Sequence, residues 1–126
     1  MAITKDAGRQ TTLTADVDFT FASLTNGSAE AAIDLPNGAV VTGGFVVVDT
    51  AFSTGATLDV GDGGDDDRYT STAVAVTTGR TALTLTGYEY TAADTIDITM
   101  NSTATAGAAR LVVEYYVDGR SSEVQA

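Results

Sequence analysis

The chain has 126 residues, with 17 acidic and 6 basic side chains, a net charge of −11 at pH 7, and neither cysteine nor histidine. This length fits a single domain, and the missing residue types exclude disulfides, thiolate metal sites, cysteine nucleophiles and histidine-based catalysis. So acidic a surface repels phosphate groups, which makes nucleic acid and anionic membranes poor partners.

Apolar and polar residues alternate with period two along most of the chain, as in half-buried β-strands. Val17 and Phe19 alternate with Asp18, and the last strand alternates from Leu111 to Val117. Gly43 and Gly44, inside a longer apolar segment, predict a bulge or a bend of the strand from one sheet to the other. The pattern predicts strands near residues 16–22, 31–35, 40–49, 57–61, 69–76, 81–90, 95–100 and 110–117.

About eight strands at this spacing predict an all-β fold, a single-domain, jelly-roll-like antiparallel β-sandwich. The alternation also predicts which side chains face the core. They are Phe19, Phe21, Ile33, Leu35, Val46, Val48, Leu58, Val60, Leu83, Leu85, Ile96, Ile98, Leu111, Val113 and Tyr115.

Both ends of the chain are polar and differ from the middle. We expect an N-terminal arm at residues 1–10, the β-sandwich domain at 11–118 and a C-terminal arm at 119–126. The two arms carry half of the six basic residues, Lys5, Arg9 and Arg120, and these are the predicted partner-binding residues.

The most conspicuous polar segment runs from Asp59 to Arg68 and contains three glycines, five aspartates and one arginine. Calcium prefers several oxygen ligands on a flexible loop, so Asp59, Asp62, Asp65 and Asp67 are weak calcium candidates. The EF-hand pattern is absent, and the same composition suits a solvated or interface loop. We favour the loop interpretation, with Arg68 paired to a neighbouring acid and no metal.

The sequence contains no group of residues with the surroundings that catalysis requires. Paired acids such as Asp65 with Asp67, or Glu89 with Asp94, lie in polar segments, whereas glycosidase chemistry needs one acid in an apolar cleft. The chain has no tryptophan, and its tyrosines are interpreted as sheet residues with solvated hydroxyl groups, Tyr88 and Tyr116 facing outward most readily. We expect a structural or binding protein, not an enzyme, with no catalytic residues and no cofactor.

Several segments together resemble the small virion proteins of tailed bacteriophages that decorate or cement the capsid. The resemblance covers roughly residues 5–100 and is most distinctive from Leu58 to Tyr69. The segments that carry it are residues 35–44, 47–52, 56–63, 67–69 and 79–88, which include Pro36-Asn37-Gly38, Gly61-Asp62-Gly63 and Gly87-Tyr88.

The resemblance implies a protein on the outer surface of the capsid that bridges major capsid protein subunits. It also implies a homo-oligomer, with a trimer favoured over a dimer, and brings no catalytic residues. Asp59, Asp62, Asp67 and Arg68 are candidates for an interface or loop signature. The alternative is a tail or fibre-tip module that binds a host-surface receptor or carbohydrate.

Overall fold

The computed structural model describes residue 3 and residues 9–53, 55–70, 74–75 and 77–120. In this part of the chain the secondary structure consists of β-strands and a single 3₁₀ turn at Phe21–Ser23. None of the described residues forms a helix long and apolar enough to cross a lipid bilayer. The strands are β1 (Leu13–Thr20), β2 (Ala29–Leu35), β3 (Ala39–Thr50), β4 (Thr57–Gly61), β5 (Val74–Ala75), β6 (Gly79–Ala82), β7 (Asp94–Asn101) and β8 (Ala108–Val117).

The strands form two four-stranded sheets. Sheet I has the order β1-β8-β3-β6 and sheet II the order β2-β7-β4-β5. The paired strands are antiparallel, and most connections cross from one sheet to the other. This order is that of two interleaved Greek keys, the jelly-roll arrangement. The predicted all-β sandwich is confirmed.

The predicted strands agree with β1–β4, β7 and β8 to within a few residues at each end. Of the strand predicted at residues 69–76, the structure has β5. The prediction is wrong at Tyr69 and Thr70, which lie in no strand, and residues 71–73 and 76 lie outside the described part.

The strand predicted at residues 81–90 is wrong beyond Ala82. The amide of Leu83 still donates to the carbonyl of Gly44 at 3.0 Å, in register with β3. Beyond it, the amide of Thr84 donates to Tyr69 at 2.8 Å and the amide of Tyr90 donates to Ala39 at 3.0 Å. The segment therefore crosses over other elements instead of continuing a ladder.

The core lies between the sheets and contains most of the predicted set. Two exceptions, Phe21 and Tyr115, are half-buried and pack against it. Leu85 is wrong, since its side chain is 44% exposed in the segment that leaves the sheet. The predicted set omits several residues that are buried near strand ends and in loops, among them Val41, Phe52, Tyr69, Tyr90 and Met100.

The predicted bulge is confirmed by a register shift of β3 against β8 between Val41 and Gly43. Gly44 follows with φ of 150°. A Cβ atom there would lie 2.5 Å from the carbonyl oxygen of Val112, which makes glycine necessary at this close approach of β3 to β8.

Candidate functional site

The acidic loop, residues 61–68, leaves the end of β4 and returns the chain beside it. The amide of Asp62 donates to the carbonyl of Asp65 at 2.8 Å, and the amide of Tyr69 donates to the carbonyl of Val60 at 2.9 Å. Such a tight, glycine-containing turn suits the Asp- and Gly-rich sequence. It brings Arg68 back against Asp62.

Asp62 is a buried carboxylate held entirely by protein donors. Its side chain is 1% exposed. One oxygen accepts hydrogen bonds from the amides of Gly64 at 2.9 Å and Asp65 at 3.0 Å. The other accepts from Arg68 Nε at 2.5 Å and the Tyr90 hydroxyl at 2.8 Å. Burial by itself would raise the pKa of Asp62, but the hydrogen bonds outweigh it and hold the pKa below its ordinary value.

Tyr69 and Tyr90 extend this network into the core. Their hydroxyl oxygens lie 2.6 Å apart, and both side chains are buried. Burial raises the pKa of both hydroxyls, so both stay neutral. The prediction of solvated hydroxyl groups is therefore wrong for these two residues, because their hydroxyls find partners inside the fold.

The predicted pairing of Arg68 with a neighbouring acid is confirmed, and its partner is Asp62. The hydrogen bond to Asp62 raises the pKa of Arg68. The guanidinium also lies 3.7 Å from the ring centroid of Tyr88, which meets the ring of Tyr90 edge-on at 5.0 Å between centroids. Since both oxygens of Asp62 are occupied by protein donors, this network fastens the loop to the sandwich.

Two of the predicted calcium ligands are tied to protein partners. Asp59 accepts hydrogen bonds from Asn101 at 2.8 Å and from Thr70 at 3.4 Å. Asp62 is held in the ion pair with Arg68. These contacts give both carboxylates a role in the fold.

The other two, Asp65 and Asp67, lie at the exposed tip of the loop with Asp66. Among the described residues, these three carboxylates come within 4.8 Å of one another. The carboxylate of Asp65 raises the pKa of Asp67, because protonated Asp67 donates a hydrogen bond to it and because its negative charge disfavours a second charge nearby. Exposed acidic groups of this kind are common in turns, and the preference for a solvated loop over a calcium site stays a prediction.

The structure brings together the two ends of the sandwich domain. The side chain of Gln10 hydrogen-bonds the backbone of Val117 at 2.6 and 3.1 Å and also donates to the carbonyl of Arg120. The predicted arm residues Arg9 and Arg120 are exposed at this shared end, and Lys5 lies outside the described residues. Gln10 is thus anchored to the sandwich, although it stands within the predicted arm.

The chain shares its fold with chains in three bacteriophage capsid structures. A chain of the cyanophage Pam1 capsid asymmetric unit has a TM-score of 0.68 and 26% identity, over 93% of this chain and 91% of that one. A chain of the acidic stable capsid of Helicobacter pylori bacteriophage KHP30 has a TM-score of 0.68 and 18% identity, over 86% and 90%. A chain of the capsid of Ralstonia phage GP4 has a TM-score of 0.58 and 20% identity, over 96% and 92%.

No protein-family model and no curated protein matches the chain. The structural matches support a bacteriophage virion structural protein. They also favour a structural over an enzymatic role.

Proposed function

We propose that this chain decorates the outer surface of a tailed-bacteriophage capsid and cements it by bridging subunits of the major capsid protein. The observation that carries the proposal is the 26% identical chain of the same fold in the Pam1 capsid asymmetric unit. The alignment covers 93% of this chain and 91% of that one, so the two chains have nearly the same length. The counterpart is therefore a small protein of the same size within a capsid assembly.

The strongly negative net charge supports a position on the outer surface of the shell. A net charge of −11 opposes contact with packaged DNA, whose phosphates repel it. A location outside the shell removes that conflict, and the acidic surface keeps many copies soluble until they attach.

The polar ends of the chain support a bridging mode of attachment. Arg9 and Arg120 are exposed at the shared end of the sandwich, and Lys5 lies earlier in the same arm. We propose that the sandwich seats on one capsid subunit while the basic arm reaches a second. Two linked contacts raise the overall affinity well above that of either contact alone.

Deleting residues 1–8 should weaken attachment to capsids that lack this protein by at least about tenfold, because one of two linked contacts is lost. The deletion ends before Gln10 and keeps its bonds to Val117 and Arg120, so the melting temperature should stay nearly unchanged. Binding isotherms on purified capsids compare the affinities of the intact and the truncated protein, and thermal melts compare their melting temperatures.

A matched control replaces residues 1–8 by a glycine-serine segment of equal length, which keeps the length and removes Lys5. This control should bind as weakly as the deletion. Equal affinity of deleted and intact protein would refute the arm as a contact. Failure of the intact protein to bind capsids would overturn the decoration proposal itself.

A further inference from the structure

The two sheets present outer faces of different character. In sheet II, the outward side chains of the three longer strands include carboxylates that alternate with buried residues, at Asp34, Asp59 and Asp97. In sheet I, the outward positions of β3 and β8 include Phe45, Val47 and Val112, which alternate with buried residues and are half-buried. The sheet I outer face therefore carries an apolar strip at its centre.

This strip follows from the sequence of β3. Residues 45–48 are all apolar, a pattern typical of strands covered on both faces. In the single chain only the inward face of β3, with Val46 and Val48, is covered by the other sheet. The outward face of β3, with Phe45 and Val47, has the apolar residues expected of a face that is covered as well.

Charge is distributed unevenly across the same face. The strand register places four side chains in one row from the β1 edge to the β6 edge, in the order Asp18, Arg110, Val47 and Arg80. The adjacent row runs in the order Asp16, Val112, Phe45 and Ala82. The β1 edge is thus acidic, and the β6 edge carries a cation.

The two arginines of the face have different surroundings. Arg110 hydrogen-bonds Asp18 at 2.6 Å and lies 4.0 Å from Asp16, so its charge is neutralised within the chain. Arg80 lies over the ring of Phe45, 4.6 Å from its centroid, and forms no ion pair with the other described residues. A cation stacked on a half-buried aromatic ring beside an apolar strip is typical of protein interfaces.

We propose that two copies of this chain pair face to face through the sheet I outer face, about a two-fold axis parallel to the strands and between β8 and β3. This rotation places β1 of one copy over β6 of the other. Asp18 then lies opposite the partner's Arg80, and Phe45 lies opposite the partner's Val112. The apolar strip is covered and each Arg80 gains a carboxylate.

The choice of axis follows from the charges. Sheets that pack face to face keep their strands within about 30° of each other and lie about 10 Å apart, so rows of side chains meet. A two-fold axis across the strands would place β1 over β1, with Asp18 against Asp18 and Arg80 against Arg80. Like charges directly opposed disfavour that pairing. The strand-parallel axis joins opposite charges at both edges.

A two-fold contact of this kind is isologous and builds dimers, whereas the resemblance favoured trimers. The pairing uses only residues of this chain and does not depend on a capsid. It is therefore tested on the purified full chain, separately from the proposed decoration.

Sedimentation velocity over a range of concentrations should show that the intact chain forms a dimer. Asp18→Arg and Arg80→Asp should each weaken self-association at least about tenfold, because each opposes like charges at both edges. Mixed in equal amounts, the two variants should associate with each other. The new arginine of one then faces the new aspartate of the other, and native Asp18 faces native Arg80.

Asp34→Arg on the sheet II outer face and Arg120→Asp at the shared end make the same charge changes elsewhere and should leave association unchanged. Thermal melts of all four variants check folding. Because the four residues are exposed, the melting temperatures of the variants should stay close to that of the intact chain. A monomeric intact chain would overturn the pairing. So would a mixture that stays monomeric, or control variants that weaken association equally.

Discussion

Gly61→Ala should lower the melting temperature of the domain by more than about 10 °C, because a side chain there collides with backbone. Gly61 ends β4 and is buried beneath the acidic loop. Its Cβ atom would lie against the carbonyl oxygen of Asp65 and the carbonyl group of Asp66, well inside 3.0 Å. The loop would have to move away from β4, and that movement would break the contacts of Asp62.

Gly63→Ala is the matched control, two residues further along the same loop. The nearest atoms to its Cβ would be the carboxylate oxygens of Asp94 at 3.4 and 3.5 Å, an ordinary contact. We expect a change in stability within about 1 kcal/mol. Thermal melts followed by circular dichroism compare the two variants. Equal melting temperatures for Gly61→Ala and the intact protein would contradict the described loop conformation.

Arg68→Met should lower the free energy of unfolding by about 3 kcal/mol, because it leaves the Asp62 carboxylate buried without its counterion. The Asp62 side chain is 1% and the Arg68 side chain 16% exposed, so solvent screens this pair weakly. Methionine keeps the apolar stem of arginine beside Tyr88 and removes the charge. Chemical denaturation gives the free energy directly.

The matched control is Arg110→Met, which breaks the ion pair with Asp18. Those side chains are 50% and 68% exposed, so solvent screens the pair and the loss of stability should be much smaller than for Arg68→Met. The double variant Asp62→Asn/Arg68→Met should recover part of the loss, because no charge is then left buried. A small loss for Arg68→Met, equal to that of Arg110→Met, would contradict a buried ion pair.

The same pair should make stability depend on pH. The folded-state pKa of Asp62 is lowered, so its contribution is present above the unfolded pKa of about 4 and is lost as pH falls through the lower folded value. The intact protein should therefore lose more stability than Asp62→Asn/Arg68→Met on acidification below about pH 5. The exposed Asp67 and Glu89, whose pKa values like-charged neighbours raise, act in the opposite direction in both proteins.

The fold was predictable because β1, β2, β4, β7 and β8 each bury one face, which imposes alternation on the sequence, and because β3 is a long apolar segment. Strand β6 ends at Ala82, yet Leu83 and Leu85 continue the same alternation, so the pattern alone places Leu85 in the core. The amides of Thr84 and Tyr90 donate instead to the carbonyls of Tyr69 and Ala39, which are distant in sequence. No local signal reports such contacts.

In the candidate site, too, the contacts between residues close in sequence were predictable and those between distant residues were not. The pairing of Arg68 was predictable because acids surround it within a few residues. The hydrogen bond between Asp62 and Tyr90 was not predictable, because Tyr90 lies 28 positions after Asp62 in the sequence and reaches the loop only in the folded sandwich. For the proposed interface on the sheet I outer face, the sequence offered the apolar run at residues 45–48. That run could be interpreted only once the order of the strands in the sheet was known.

The copy number and position of this protein on purified virions test the central claim most directly. A protein that cements the shell should be present in hundreds of copies, as density of this jelly roll over the outer surface of the head in a cryo-EM reconstruction. Quantitative mass spectrometry of the same particles should give the matching ratio to the major capsid protein. A few copies confined to the tail would contradict the account and indicate a receptor-binding module instead.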